Sequence, residues 1–245
     1  MKAVQEFVKE LKKEFRKDLV SVVLFGSSLG KLSEKSDVDF VIIFSDKTNL
    51  ENARNKVLVI KKDIENKYKV KFDKREKIPI LSFIEGATGM FVSPFITKES
   101  HFKYMKFEKI FSTNNIMTKL LAPTNAVFLS IKNNKKILYG KDHTKHWNIK
   151  MNFSTKIKAA LTSLFLAIFG IIIFPSPPSM KYSCEALKWA MLSASGKGTE
   201  KAIRHFERKM DLRTFLAYRN GKYIGAKERI SFVFKAPVYV IKCFW

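Results

Sequence analysis

Apolar residues recur at helical spacing near the start of the chain. Val4, Phe7, Val8, Leu11 and Phe15 share one face, which predicts an amphipathic helix near residues 3–17. The run VSVVLF from Val20 to Phe25 is rich in β-formers and stops at Gly26-Ser27-Ser28, the pattern of a strand entering a turn. A second strand is expected over 37–44 (DVDFVIIF), then a helix near 50–66 and a third strand over 68–73. Gly86, Gly89 and Pro94 cut the apolar runs between Ile78 and Phe111 too finely to assign. Thr124 stands where it would cap a helix reaching Asn134, and 137–140 reads as a last short strand.

Beyond about residue 150 the pattern turns almost wholly helical. An apolar helix is expected over 153–174, a break at Pro175, Pro177 and Pro178, and a helix over 180–194 with Cys184, Leu187, Met191 and Ala194 in one stripe. Gly196 and Gly198 end that helix, Thr199 is placed to cap the next, TEKAIRHFERKMDL, and Asn220-Gly221 marks a further turn. The closing Phe244 and Trp245 are expected to pack on the helices. The switch in pattern predicts an α+β chain in two domains. Residues 1–148 would hold a small mixed sheet with helices, and 149–245 an α-helical bundle.

The segment 159–174, AALTSLFLAIFGIIIF, carries no charge over its 16 residues. A bilayer span needs about 20, so a core helix of the bundle is the expectation, and no membrane is expected as a partner. The N-terminus has charges throughout and lacks the apolar centre of a secretory signal. Apolar residues make up 46% of the 245, which excludes a disordered polycation despite 46 Lys+Arg against 22 Asp+Glu. Cys184 and Cys243 are too few for a disulfide framework and have no CxxC spacing, which points to a reducing, cytoplasmic compartment and to no metal-thiolate site. The net charge of +24 favours polyanions: nucleic acid, nucleotide phosphates or a membrane surface.

The chemistry is concentrated in Leu24-Phe25-Gly26-Ser27, nine residues, then Asp37-Val38-Asp39-Phe40. Alternation along a strand sends the carboxylates of Asp37 and Asp39 to one side, about 6.6 Å apart. Two like charges that close repel each other unless cations sit between them, and hard Mg²⁺ takes one or two carboxylates while leaving positions for phosphate oxygens. Gly26 lets backbone approach a ligand, and Ser27 adds a hydroxyl and an N–H at a strand end. A phosphate cradle beside a metal clamp suits phosphoryl or nucleotidyl transfer, where catalysis is mainly positioning and charge neutralisation.

At these residues the chain resembles the DNA polymerase β-type nucleotidyltransferase superfamily. Its signature is an apolar residue, Gly-Ser, a spacer of about nine to thirteen residues, then Asp-apolar-Asp/Glu-apolar. The resemblance is clearest over 18–44. KKILYGKD (135–142) looks like the end of the catalytic domain in enzymes of the aminoglycoside adenylyltransferase type, which carry a helical domain behind it. The resemblance implies that Asp37 and Asp39 hold two Mg²⁺ ions, that Gly26 and Ser27 hold the triphosphate of ATP or another NTP, and that a third carboxylate on a later strand activates the acceptor hydroxyl. Asp73, ending YKVKFD, is the best placed for the third role, and Glu76 or Glu85 serves instead if the strand is offset. Lys71, Lys74 and Arg75 beside Asp73 would lower its pKa, which suits metal ligation better than strong general-base work.

Other motifs are weaker. SASGKGT (193–199) lacks the first glycine of a phosphate loop and reads as a helix-helix turn, and His143 with His146 beside Asp142 reads as a surface loop. Residues 151–245 hold 16 basic against 5 acidic side chains, with Lys201, Arg204 and Arg208 on one helical face. Such a stripe would meet RNA, a triphosphate or simply solvent. The reading is a Mg²⁺-dependent nucleotidyltransferase with a catalytic domain over 1–148 and an acceptor-binding helical domain over 149–245. It would move an NMP, AMP from ATP foremost, to a hydroxyl acceptor and release pyrophosphate. Two alternatives are an RNA-binding or RNA 3′-end nucleotide-adding protein, and a toxin–antitoxin-type module that nucleotidylates a partner protein.

Overall fold

A computed structural model of the chain describes residues 2–26, 38–70, 72, 81, 83, 85, 93–113 and 116–245. Two units emerge: Met1–Gly86, Met90–Asn114 and Asn134–Asn148 form the first, and Ala87–Gly89, Asn115–Asn133 and Ile149–Trp245 the second. The chain thus passes into the second unit around 116–133 and returns to the first for its last strand.

Among the described residues, the first unit is built on a four-stranded sheet in the order β3-β2-β1-β4, with β1 Leu19–Phe25, β2 Asp39–Phe44, β3 Phe95–Lys98 and β4 Lys135–Gly140. β1 pairs antiparallel with β2 and with β4, whereas β2 and β3 run parallel, so the sheet is mixed as expected. Helix α1 (Lys2–Phe15) buries Val4, Phe7, Val8, Leu11 and Phe15, the residues whose spacing predicted it. Phe7 lies 5.1 Å from Phe40 and Phe15 lies 4.8 Å from Phe44, ring to ring. Helix α2 (Leu50–Tyr68) adds Ala53, Val57 and Ile64 to this core. Burying each such Phe contributes roughly 1.5–3 kcal/mol relative to exposure. Phe40, Ile42 and Phe44 face these helices, so Asp39, Val41 and Ile43 face the opposite side of β2.

The Asn49 side chain caps α2, accepting from the N–H groups of Glu51 and Asn52 at 3.0 and 3.1 Å. The other end corrects the third strand expected over 68–73. Tyr68 is still helical, Lys69 takes the left-handed cap at φ 52°, and Val70 N–H returns to Glu65 O. No breaker separates Glu65 from Tyr68, so the helix runs on, and alternating Tyr68, Val70 and Phe72 only imitate a strand. Val70 is exposed, and Phe72 enters the core against Phe7 and Phe40. The strand beside β2 is instead β3, followed by short helices α3 (Glu99–Lys103) and α4 (Phe107–Ile110). Asp46 accepts the N–H and hydroxyl of Ser100 at 3.1 and 2.8 Å, and these bonds hold its pKa below the ordinary carboxylate value.

The second unit comprises α5 (Ile116–Leu121), α6 (Thr124–Asn133), α7 (Phe153–Ile172), α8 (Pro178–Ser195), α9 (Thr199–Glu207), α10 (Arg213–Arg219) and α11 (Ala226–Phe244). Thr199 is the first residue of α9, with Gly198 at the N-cap, so the cap falls one residue before the expected one. The central helix is α8, buried on nearly all sides, with Cys184, Leu187 and Met191 inside as their stripe predicted. The more apolar α7 packs one face, including Ala159, Ser163, Ala167 and Gly170, and leaves Ile157, Leu161, Ile168 and Ile172 exposed. Trp245, expected to pack, is fully exposed.

Candidate active site

β1 is an uncharged run that ends in register with the start of β2, where Phe25 pairs with Asp39. Gly26 follows at once with φ 85°, a left-handed turn that glycine enters without strain. This turn brings the Gly26 backbone against the Asp39 carboxylate, close enough that a Cβ on Gly26 would stand 2.5 Å from Asp39 Oδ2. Two of the residues selected from sequence, Gly26 and Asp39, therefore meet at one strand end. Ser27, Asp37, Asp73 and Glu76 lie outside the described residues. Glu85 is buried at 3% exposure in helical backbone.

Asp39 is held by its neighbours in β2. The Phe40 N–H donates to Ser93 Oγ at 2.8 Å, a buried bond from the residue next but one before β3. On the other side, Val38 N–H donates to Phe72 O at 3.0 Å. Phe72 N–H in turn donates to Glu65 Oε1 at 2.6 Å. The positions flanking Asp39 are thus tied to β3 and to the end of α2, and a carboxylate on so fixed a strand is aimed by the backbone.

The register adds a residue that sequence reasoning missed. Phe25 pairs with Asp39 on one side and Lys135 on the other, and directly paired residues share a sheet face. Lys135 therefore belongs to the same face as Asp39, two strands away, or about 10 Å between backbones. Its Nζ lies 3.3 Å from Asp142 Oδ2. Burial pushes the Asp142 pKa up, but bonds from the Thr144 hydroxyl and N–H, at 2.8 and 2.9 Å, and the Lys135 charge bring it below the ordinary value. Asp142 stays ionised and anchors the ammonium. KKILYGKD gave no local signal of this, because the face occupied by Lys135 depends on pairing with β1.

The remaining motifs take ordinary places. Gly196 is the left-handed cap of α8 and Ser195 Oγ accepts the Lys197 N–H at 3.3 Å, so SASGKGT is the expected helix-helix turn. His143 Nδ1 faces Glu99 Oε1 at 3.6 Å, and among the described residues no three His, Cys, Asp or Glu side chains gather as a metal site. On α9, Lys201 and Arg204 are exposed, as is Arg208 at its C-cap, while Ala202 and Phe206 are buried.

Residues 4–103 match the family model described as a nucleotidyltransferase domain. Comparison with curated proteins gives no match. Among solved structures, spectinomycin adenyltransferase AAD(9) from Enterococcus faecialis, in a crystal structure with ATP and spectinomycin, is similar in fold. The TM-score is 0.54 at 14% identity, over 97% of this chain and 98% of that one. The α+β architecture expected from sequence, a small mixed sheet followed by helices, is the one observed.

Proposed function

We propose that the chain transfers a nucleoside monophosphate, AMP from ATP foremost, to a hydroxyl acceptor with release of pyrophosphate. The observation that carries this reading is the seating of Gly26 against the Asp39 carboxylate at the end of two paired strands, within a segment that matches a nucleotidyltransferase domain. In the reaction the acceptor oxygen bonds to the α-phosphorus as the bond to the pyrophosphate oxygen breaks, and the acceptor proton leaves to a base.

Asp39, with Asp37, would hold Mg²⁺, since carboxylate oxygens are the hard donors that ion prefers. Bound there, Mg²⁺ would offset charge on the triphosphate. Gly26 lets backbone come close to phosphate oxygens, and Ser27 would add its hydroxyl and N–H. Lys135, on the Asp39 face and paired with Asp142, would add positive charge on the side of the sheet where the polyphosphate binds. Asp73, or else Glu76 or Glu85, would act as the third carboxylate. The helical domain would select the acceptor. A small molecule with a hydroxyl is favoured, by analogy with the ATP and spectinomycin of the structural neighbour.

The test is incubation with each of four α-labelled NTPs and Mg²⁺ against small-molecule, RNA and protein fractions. Label from ATP should appear on an acceptor, vanish with chelator, and vanish in Asp39→Asn with the fold intact. Undiminished transfer by Asp39→Asn would remove this assignment. The exposed basic face of α9 favours RNA as a second acceptor class. That reading requires RNA binding that falls steeply between low and moderate salt.

A further inference from the structure

Helix α11 turns Phe232, Val233, Ala236, Val240 and Cys243 inward. Its outward face is also apolar. Ile230, Phe234, Val238 and Ile241 are 44 to 51% exposed, and Trp245, one turn on, is fully exposed. Steps of four, four, three and four residues hold these five on one stripe, about 22 Å long. Lys227, Lys235 and Lys242 are exposed on the same helix, against the single acid Glu228. Arg229 is engaged elsewhere, donating to the carbonyls of Pro175 and Ser176 at 2.6 Å.

The neighbouring helix continues this chemistry. α7 packs against α11, and the Phe174 ring just beyond α7 lies 5.6 Å from that of Phe234. α7 exposes its own stripe of Ile157, Leu161, Ile168 and Ile172. No acidic residue occurs between Asp142 and Glu185.

We propose that the outer face of α11, with the adjoining face of α7, docks on an anionic lipid surface. Charge selects this occupant. A second copy would bring another +24 chain to the same face, and a nucleic acid would offer phosphates, and bases to stack on Phe234 and Trp245, but nothing for the aliphatic Ile230, Val238 and Ile241 or for the isoleucine and leucine stripe of α7. An anionic bilayer meets both needs, with acyl chains under the stripe and headgroup phosphates around the lysines. α7 is long and apolar enough to cross a membrane by length and composition. Its inner face, however, is packed in the helical unit, so the pair lies on the surface and does not span it.

The molecule carries its own probe. Trp147 and Trp189 are buried and Trp245 is exposed, so a vesicle-induced blue shift of tryptophan emission reports this face. The full chain is mixed at about 0.1 M salt with phosphatidylcholine vesicles containing about 30% phosphatidylserine, or with phosphatidylcholine alone. Sedimentation with the anionic vesicles and a blue shift are expected, with at least a tenfold loss on neutral vesicles. The double variant Val238→Ser/Ile241→Ser should lose at least tenfold on both lipids at an unchanged melting temperature. Lys235→Gln/Lys242→Gln, which leaves the apolar stripe intact, should weaken the phosphatidylserine dependence. Absence of sedimentation with anionic vesicles overturns the proposal, as does unchanged binding by both variants. A dimer in light scattering that Val238→Ser/Ile241→Ser dissociates, without lipid binding, would assign the face to a second copy instead.

Discussion

Gly26 and Asp39 are in contact through space that a single methyl group would fill, with a Cβ on Gly26 falling 2.5 Å from Asp39 Oδ2. The relationship separates stability from activity. Gly26→Ala must hold a side chain at φ 85°, a strain of about 1–2 kcal/mol, and must also push the carboxylate aside. The expected outcome is a modest fall in melting temperature with at least an approximately hundredfold fall in nucleotidyl transfer, about 2.7 kcal/mol at the transition state. Thermal unfolding and label transfer on the same preparation check it. Equal losses in the two would make Gly26 a folding residue only.

Gly140 presents the opposite case, where the obstacle is backbone. At φ 76°, its added Cβ would lie 2.0 Å from Val20 O and 2.9 Å from Ser21 Cα, neither of which can swing away. The same corner is pinned by Ser21 Oγ, which donates to Tyr139 O or Lys141 O at 2.9 and 3.0 Å. Gly140→Ala should destabilise the first unit by about 3 kcal/mol or more, through strain and a displaced β4. Urea unfolding should show a lower midpoint, and Lys135, carried on β4, should lose its place on the Asp39 face.

These two positions show where the sequence was legible and where it was not. Helix α1 was readable because its spacing coincides with its burial, and β1 and β2 because their unbroken runs of β-formers are buried almost throughout: Phe7 and Phe40 are apolar at the positions that meet. That Asp37 and Asp39 share a side is an expectation from alternation, and Asp37 lies outside the described residues. The seating of Gly26 on Asp39 does not follow from alternation, because it depends on the register that pairs Phe25 with Asp39. Lys135 was invisible for the same reason. The misread third strand arose because α2 runs on through Tyr68 to its left-handed cap at Lys69, so the alternation of Tyr68, Val70 and Phe72 marks no strand. The uncharged run 159–174 predicted α7 as a core helix of the bundle, yet burial is decided by neighbours. α8 is packed by α7 and by α11, so its serines and methionines are inside while isoleucines of α7 face out.

A buried bond beside the site gives a stability test. Ser93 Oγ accepts the Phe40 N–H at 2.8 Å, and Ser93 is 4% exposed, so no water readily replaces it. Ser93→Ala leaves that donor unsatisfied and should cost about 1–3 kcal/mol. Denaturant unfolding measures the loss, and Ser93→Thr, which restores an acceptor, should recover part of it.

Asp211 gives a prediction in pH. The Arg213 side chain, through its hydrogen bonds, and then the Arg213 N–H hold the Asp211 pKa at about 2, below its ordinary value of 3.8. A depressed carboxylate stabilises the fold above pH 3.8, and that contribution is lost as pH falls through about 2. Both side chains are exposed, so the effect on stability is small and the titration itself is the readout. In Arg213→Ala the Asp211 resonance should titrate nearer the ordinary carboxylate value, by two-dimensional NMR between pH 2 and about 5. An unchanged midpoint would mean that Arg213 does not hold the carboxylate in solution.

The two thiols test how firmly the inner faces of the helical unit are closed. Cys184 on α8 is fully buried, and burial, then the nearby Glu185 charge, raises its pKa well above the ordinary value. Cys243 on α11 is pushed up to about 12, again by burial. A thiol at that pKa is thiolate in only about one part in ten thousand at pH 8, so both should alkylate far more slowly than an exposed cysteine. Denaturant should release both. Cys243 should react first in native buffer, because it lies in the last turn of α11, where few hydrogen bonds must open, whereas Cys184 sits mid-helix and requires the unit to unfold. Iodoacetamide labelling followed by peptide mass spectrometry checks the order, and faster reaction at Cys184 would mean that α8 is not the closed centre of the unit.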